Sequence, residues 1–406
     1  MNSTERKEAR YRRRKAAREA KRKKFTEDLG SFEEIFSFIN LYDAFRICKK
    51  GVRWKASIQA YETNLPVNSY DLYRRLQAGT WKSKGFTKFR LSERGKVRLI
   101  QSVHISERCI QRTLCDMYLV PLLSRSLIYD NGASLKEKGM RFAIDRLKMH
   151  LKEHQRKYGD DGYILLYDFT NYFGNISHEK LFEMIDPKIT DDKIRTLFHQ
   201  LIDAFDEGLG LGSQVSQICA VYFANKLDHT FKDKLGIRMY ARYMDDGYII
   251  SNNLEFLHEC EMTLFELCEE LDIRINEKKV KICKLKHGFT YLKKRFRLNS
   301  QKVEIKLSRS SFKAVRRRLK KMKEKNLPRR DVWTAYSSWR GTCKEYDNFY
   351  MVRTIDDYYN RMFVEDFMKG EDNGRTGNGI DRTAAEKSGE FGEAVLTDDR
   401  EKHAGS

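Results

Sequence analysis

The chain has 406 residues, enough for two or three packed lobes. Its 79 Lys+Arg against 58 Asp+Glu leave a net charge of +21, which points to a polyanionic partner, either nucleic acid or an anionic membrane. No apolar run approaches the roughly 20 residues of a spanning helix, and the polar, basic N-terminus has no signal-peptide core, so a membrane is set aside and a cytoplasmic protein is expected.

Four prolines and abundant helix-forming charged residues suggest a helix-rich α+β protein. The eight cysteines form no Cys-x-x-Cys pair and no zinc spacing with histidine, so buried free thiols are expected. Residues 1–24 carry twelve Lys/Arg and three Asp/Glu, the pattern of a solvated helix or a disordered arm. Phe32, Ile35, Phe36 and Ile39 then recur at helix spacing. Asn68 or Ser69 could cap a helix running to Gly79. Between 86 and 100 the apolar residues suggest two strands around a turn at Glu93-Arg94-Gly95-Lys96. Lys96 and Arg98, two apart, share one strand face and could grip a triphosphate. A helix is expected over Ser106–Met117 and another over Met140–Lys157.

The run Tyr163-Ile164-Leu165-Leu166-Tyr167 ends on Asp168, followed by Phe169 and Phe173. An acid at the end of a buried strand needs a partner. The strand-like segments 237–242 and 247–250 flank Tyr243-Met244-Asp245-Asp246, and the expected structure is a hairpin with both acids at its tip. Adjacent carboxylates suit a hard divalent ion such as Mg²⁺. Between the acid segments, Gly208 to Gln217 combines three glycines with small polar residues, a surface that allows close backbone approach to a ligand. Ile273–Asn276 reads as a strand with Lys278 and Lys279 behind it. Residues 302–330 hold thirteen Lys/Arg and two acids. In this stretch Phe312, Val315, Leu319 and Met322 make an apolar stripe, with Arg316, Arg317, Lys320 and Lys321 off it, as in a helix that grips a duplex backbone. Residues 371–406 hold nine acids and five bases and are expected to be disordered.

Taken in order, Lys96-x-Arg98, Asp168 to Phe173, Gly212 to Gln217, the Tyr-x-Asp-Asp box at 243–246, Asn276-x-x-Lys279 and Gly288 to Leu292 resemble a prokaryotic reverse transcriptase. The likeness covers roughly residues 30–345. It implies an α+β right-hand polymerase: a basic arm (1–30), fingers and an antiparallel-sheet palm (31–300), a basic helical thumb (301–370) and an acidic tail (371–406). Asp168, Asp245 and Asp246 would hold two Mg²⁺ ions, one activating a 3′-hydroxyl and the other stabilising pyrophosphate. Lys96 and Arg98 would hold the dNTP, Phe173 would exclude a 2′-hydroxyl, and Gly212 to Gln217 would position the base pair. Lys279 would assist pyrophosphate departure. The form Leu-Gly-x-x-x-Ser-Gln, with Gly210 and Leu211 where many relatives have Pro and Gln, is similar to defence-associated and diversity-generating retroelement enzymes. The expected activity is RNA-directed DNA synthesis, copying a partner non-coding RNA in antiphage defence. The alternatives are a diversity-generating enzyme, template-independent DNA synthesis, or an idle nucleic-acid-binding scaffold.

Overall fold

The computed structural model describes residues 3–93 and 96–364. The segment expected to be disordered, 371–406, lies outside them. The chain divides into two compact units, Met1–Ile305 and Lys306–Ser406.

The first unit opens with five helices: α1 (Ser3–Asp28), α2 (Phe32–Ile35), α3 (Phe38–Cys48), α4 (Ala56–Thr63) and α5 (Leu65–Gln77). The basic N-terminal stretch is therefore helical. Ser31 and Glu34 form a reciprocal capping box that starts α2, and Ser37 caps α3. These caps break the expected Phe32-to-Ile39 helix in two. Phe32, Ile35 and Phe36 are buried, whereas Ile39 is 61% exposed. α5 begins at Leu65 with Pro66 in its first turn rather than at the expected Asn68–Ser69 cap. Strands β1 (Phe86–Glu93) and β2 (Lys96–Val103) pair antiparallel with Glu93 opposite Lys96. Helix α6 (Ile105–Leu114), capped by His104, runs through a π-helical turn at Cys115–Leu119 into α7 (Val120–Ser124). The long α8 (Met140–Tyr158) follows.

The central sheet is built from β3 (Tyr163–Asp168), β4 (Tyr240–Tyr243), β5 (Asp246–Ser251) and β6 (Lys281–Lys284), in the order β4-β5-β3-β6 with every pair antiparallel. Between β3 and β4 lie α9 (His178–Ile185), α10 (Asp192–Ile202), α11 (Gln214–Phe223) and α12 (Asn225–His229); α13 (Leu254–Glu270) follows β5. α8 packs on β4 and β5, and α13 on β3 and β5. β3 is an inner strand, buried from Ile164 to Asp168, which is why its sequence reads as a continuous apolar run. The expected strand at Ile273–Asn276 is reduced to one bridge, Phe169 to Ile275. The fourth strand is β6 instead. Its lysines obscured it in the sequence, and they suit a sheet edge.

β7 (Phe289–Tyr291) and β8 (Lys294–Leu298) form a hairpin joined by β9 (Val303–Leu307) in a three-stranded sheet. The β7–β8 turn places Leu292 at φ 45° and Lys293 at φ 63°, the left-handed pair that a two-residue hairpin needs.

In the second unit, α14 (Arg309–Glu324), α15 (Arg329–Cys343) and α16 (Phe349–Tyr359) share a core of Phe312, Val315, Leu319, Met322, Val332, Tyr336 and Tyr359. Tyr336 and Tyr359 stack at 4.0 Å, and Arg340 pairs with Asp356 at 3.1 Å.

Candidate active site

Register brings the acids together. Asp168, the last residue of β3, lies directly opposite Asp246, the first of β5. Residues paired across antiparallel strands project from the same face, so the two carboxyls face one another. The tip of the β4–β5 hairpin is Met244-Asp245, with Tyr243 paired to Asp246. Asp246 is therefore a strand residue, not a tip residue as the sequence suggested. Met244 adopts φ 57°, a left-handed conformation that reverses the chain in two residues. The Asp245 carbonyl accepts from Phe169 N at 3.2 Å, fastening the tip to the segment after Asp168.

Three carboxylates in a partly buried spot strain one another electrostatically. Asp246 is pushed up to about 7 by burial, by the charges of Asp245 and Asp168, and by the carboxyl hydrogen bond it shares with Asp168. Asp245 is also raised, chiefly by burial and then by Asp168, while the cations of Lys279 and Arg98 draw it down. Lys279 Nζ donates to Asp168 Oδ2 at 2.6 Å. Asn276 N bonds the Asp168 carbonyl at 2.9 Å, and the Asn276 side chain reaches the same carboxylate at 3.5 Å. Among the described residues no three His, Cys, Asp or Glu side chains close into a ready ligand cage. The donors are nonetheless all hard carboxylate oxygens with surplus negative charge, the chemistry a divalent cation takes.

The surrounding candidates fall into place unevenly. Arg98, on β2 opposite Leu91, acts electrostatically on Asp245. Lys96 opens β2, paired with Glu93 of β1. Phe173 is half-buried in a 3₁₀ turn, Phe173–Asn175. Its carbonyl accepts from Leu209 N at 2.6 Å, which ties it to the glycine-rich loop. Gly208 is required there: at φ 59°, an added Cβ would lie 2.5 Å from the Gly174 backbone. Gly212 and Gln217 are exposed. Gln217 belongs to helix α11, which begins at Gln214 under a Ser213 cap, so the loop ends earlier than expected. Gln101 N bonds the Leu211 carbonyl at 3.2 Å, joining the loop to β2. In the second unit Arg316, Arg317, Lys320 and Lys321 are all exposed on α14, while its apolar stripe is buried. Arg316 lies 4.7 Å over the Tyr358 ring, and Lys320 pairs with Glu324 at 3.9 Å.

Behind the hairpin is a group that sequence reasoning missed. Arg242 and Asp228 are fully buried. Arg242 Nε and Nη2 donate to the two Asp228 oxygens at 2.8 and 2.7 Å. Its Nη1 donates to the Met244 carbonyl at 2.8 Å, and Nη2 also reaches the Val221 carbonyl at 2.8 Å. Tyr240 donates its hydroxyl to Asp228 at 2.5 Å. The available signal was an arginine inside the apolar strand Tyr240-Ala241-Arg242.

The family model described as "Reverse transcriptase (RNA-dependent DNA polymerase)" matches residues 82–313, more than half of the chain. The chain belongs to the reverse transcriptase family. That match contains the acid sheet, the β1–β2 hairpin and the glycine-rich loop, and the mixed helical and antiparallel architecture is the expected α+β right-hand polymerase class. Among solved structures, the reverse transcriptase chain is similar to a Candida tropicalis telomerase truncated of its C-terminal domain, with 13% identity, a TM-score of 0.43 and 54% of each chain covered. It is also similar to Candida albicans telomerase in complex with a TWJ fragment of telomeric RNA, with 9% identity, a TM-score of 0.45, and 69% of this chain and 56% of that one covered. The aligned part thus spans little more than half the length of these telomerase chains. No curated protein matches the sequence. Among the described residues no helix is long and apolar enough to cross a membrane.

Proposed function

We propose that the protein is an RNA-directed DNA polymerase that adds dNTPs to a primer 3′-hydroxyl on an RNA template, producing DNA. The observation that carries this reading is the register of Asp168 opposite Asp246 with Asp245 beside them, inside a chain of the reverse transcriptase family. Asp168, Asp245 and Asp246 would hold the divalent ions, Mg²⁺ in our reading. When bound, such ions supply activation of the attacking hydroxyl and charge stabilisation of the departing pyrophosphate.

The chain's own residues supply the rest. Lys96 and Arg98 on one face of β2 hold the triphosphate, and Arg98 balances Asp245 until the nucleotide arrives. Phe173, fastened to Leu209, bounds the sugar and excludes a 2′-hydroxyl. Gly212 offers a surface without a side chain to the nascent pair, with Gln217 one turn into the helix beyond it. Lys279, released from Asp168, is positioned to donate a proton to pyrophosphate. In this reading 1–30 is a basic arm, 31–300 the fingers and palm, and 301–370 a thumb whose Arg316, Arg317, Lys320 and Lys321 meet duplex phosphates.

The test is primer extension by the purified full chain on an RNA template with dNTPs and Mg²⁺, beside a reaction without template. The wild type should extend only on template. Asp245→Asn should fold normally and lose roughly a thousandfold or more in rate, because several kcal/mol of transition-state stabilisation go with one ligand. Unchanged synthesis by a normally melting Asp245→Asn protein sinks the assignment. Template-free synthesis would favour the terminal-addition alternative. We further propose a cytoplasmic antiphage role with a dedicated non-coding RNA. Phage plating on cells carrying wild type or Asp245→Asn, with sequencing of the co-purified RNA, tests it.

A further inference from the structure

We propose that the exposed N-terminal helix α1 is a docking arm for a double-stranded stem of the RNA partner. The inference rests on the RNA-directed reading above for the identity of the nucleic acid, and on the helix itself for the surface.

α1 is fastened to its unit at its C-terminal end. Arg22 Nη2 donates to the Pro187 carbonyl at 3.2 Å, the Arg125 guanidinium lies 3.8 Å over the Phe25 ring, and Thr26 is buried. Residues 4–24 are all exposed. They contain no apolar face. A helix polar on all sides has little packing to stabilise it, so its charges require a separate account.

Those charges are sorted. Lys7, Arg10, Arg14, Arg18 and Lys21 recur at intervals of three and four residues, a single stripe about 21 Å long at 1.5 Å per residue. Glu5, Glu8 and Glu19 fall roughly 120–180° around the helix from the centre of that stripe, at 3.6 residues per turn. Arg12 pairs with Glu8 and Lys23 with Glu27, and both of these cations lie off the stripe. Like charges four apart, as in Arg10-Arg14-Arg18, repel one another and destabilise the isolated helix. A surface that only needed solubility would interleave the signs. A row of cations at the cost of helix stability fits a row of phosphates, which would remove that repulsion.

The remaining features narrow the occupant. A membrane surface needs an apolar face, which α1 lacks. A single strand needs aromatic stacking platforms, and Tyr11 is the only aromatic from 3 to 24. A duplex backbone needs neither. Arginine-rich segments that order on binding are a recurrent means of recognising folded RNA.

The test measures binding of the full chain, without dNTPs, to an RNA hairpin stem, to single-stranded RNA of equal length and to duplex DNA, at several salt concentrations. Two triple variants remove equal charge: Arg10→Ala, Arg14→Ala, Arg18→Ala on the stripe, and Arg12→Ala, Lys15→Ala, Lys23→Ala off it. The wild type should prefer the stem. The stripe triple should lose at least tenfold in stem affinity and about two to three units of salt slope, on the scale of about 0.9 per phosphate contact for B-form DNA. The off-stripe triple should lose much less. Hydrogen exchange of residues 4–21 should slow when the stem binds. Equal losses in both triples, an unaffected stripe triple, unchanged exchange, or equal or tighter binding of single strand or DNA duplex would overturn the proposal. Wild-type primer extension on an unstructured template is measured in parallel. Its failure with stem binding intact would count against the polymerase reading and leave the arm standing.

Discussion

Arg242 and Asp228 form a two-point ion pair with neither side chain reaching solvent, and the same guanidinium holds the carbonyl of Met244 at the hairpin tip. The left-handed turn that carries Asp245 is thus fastened from behind by a charge that has no other place to go. Arg242→Met leaves Asp228 buried and unpaired, a loss of about 3–5 kcal/mol of stability. Arg242→Met with Asp228→Asn should recover part of that loss, because the stranded charge is gone. Polymerisation should stay low in both, since neither restores the bond to Met244. Urea unfolding and single-turnover extension of the wild type and the two variants check this. Full activity in the double variant would mean that the turn holds its shape without the guanidinium.

Two buried groups pull stability in opposite directions over one pH window. Asp246 is pushed up to about 7. Between about pH 4 and 7 the unfolded carboxyl is charged and the folded one is not, so its contribution is complete at low pH and falls as pH rises through 7. His150, hydrogen-bonded to the Tyr248 hydroxyl at 2.9 Å, is held down to about 4 by burial, partly opposed by Asp130. Its contribution is complete above about 6.5 and falls as pH drops toward 4. In metal-free buffer, Asp246→Asn should expose the His150 slope, making stability climb with pH between 4 and 6.5. His150→Gln should expose the reverse slope. Each limb should approach about 1.4 kcal/mol per pH unit at its steepest. Denaturation midpoints from pH 4 to 8 measure it, and profiles that superimpose on wild type would remove both assignments.

Gly208 lies at φ 59° against the backbone of Phe173 and Gly174. Gly208→Ala meets the left-handed penalty of about 1–2 kcal/mol and a backbone overlap that no side-chain rotation relieves. Stability should fall by at least that amount. The Phe173 turn should shift, and ribonucleotide incorporation should rise relative to deoxynucleotide. Unchanged sugar discrimination in a destabilised variant would separate Phe173 from the gate.

On α14, Arg317 and Lys320 are exposed opposite a buried apolar stripe. Arg317→Ala with Lys320→Ala should weaken primer–template binding on every sequence tested. It should flatten the salt dependence by about one to two units. Isotherms at several salt concentrations decide it, and an unchanged slope would make this a solvated face.

The sequence conveyed best what depends on local pattern. The paired strands β1 and β2, the long helix α8, the acid strand β3 and the stripe of α14 follow from spacing alone; residues 94 and 95 of the expected turn lie outside the described residues. It conveyed poorly what depends on partners distant in the chain. Ile273–Asn276 has the residues of a strand, but its backbone is used by Asp168 and Thr170. β6 has the residues of a solvated loop, but it completes the sheet beside β3. The same holds at the site. Asp168, Asp245 and Asp246 could be named because carboxylates at strand ends are locally anomalous. The Arg242–Asp228 pair could not: an arginine inside an apolar strand signals a buried charge, but only the fold shows which acid meets it.

The ammonium of Lys279 against Asp168 gives the acid cluster the character of an ion exchanger. Asp168 already carries a counter-ion built into the chain, the Lys279 ammonium at 2.6 Å. Half-exposed on a short 3₁₀ turn, Lys279 can swing away without moving the sheet. In the proposed polymerase reading, a soluble cation entering the cluster would trade places with a tethered one. Replacing a singly charged ammonium by a divalent ion would add positive charge beside Asp168, and the freed ammonium would remain on its tether within reach of whatever the incoming cation brings with it.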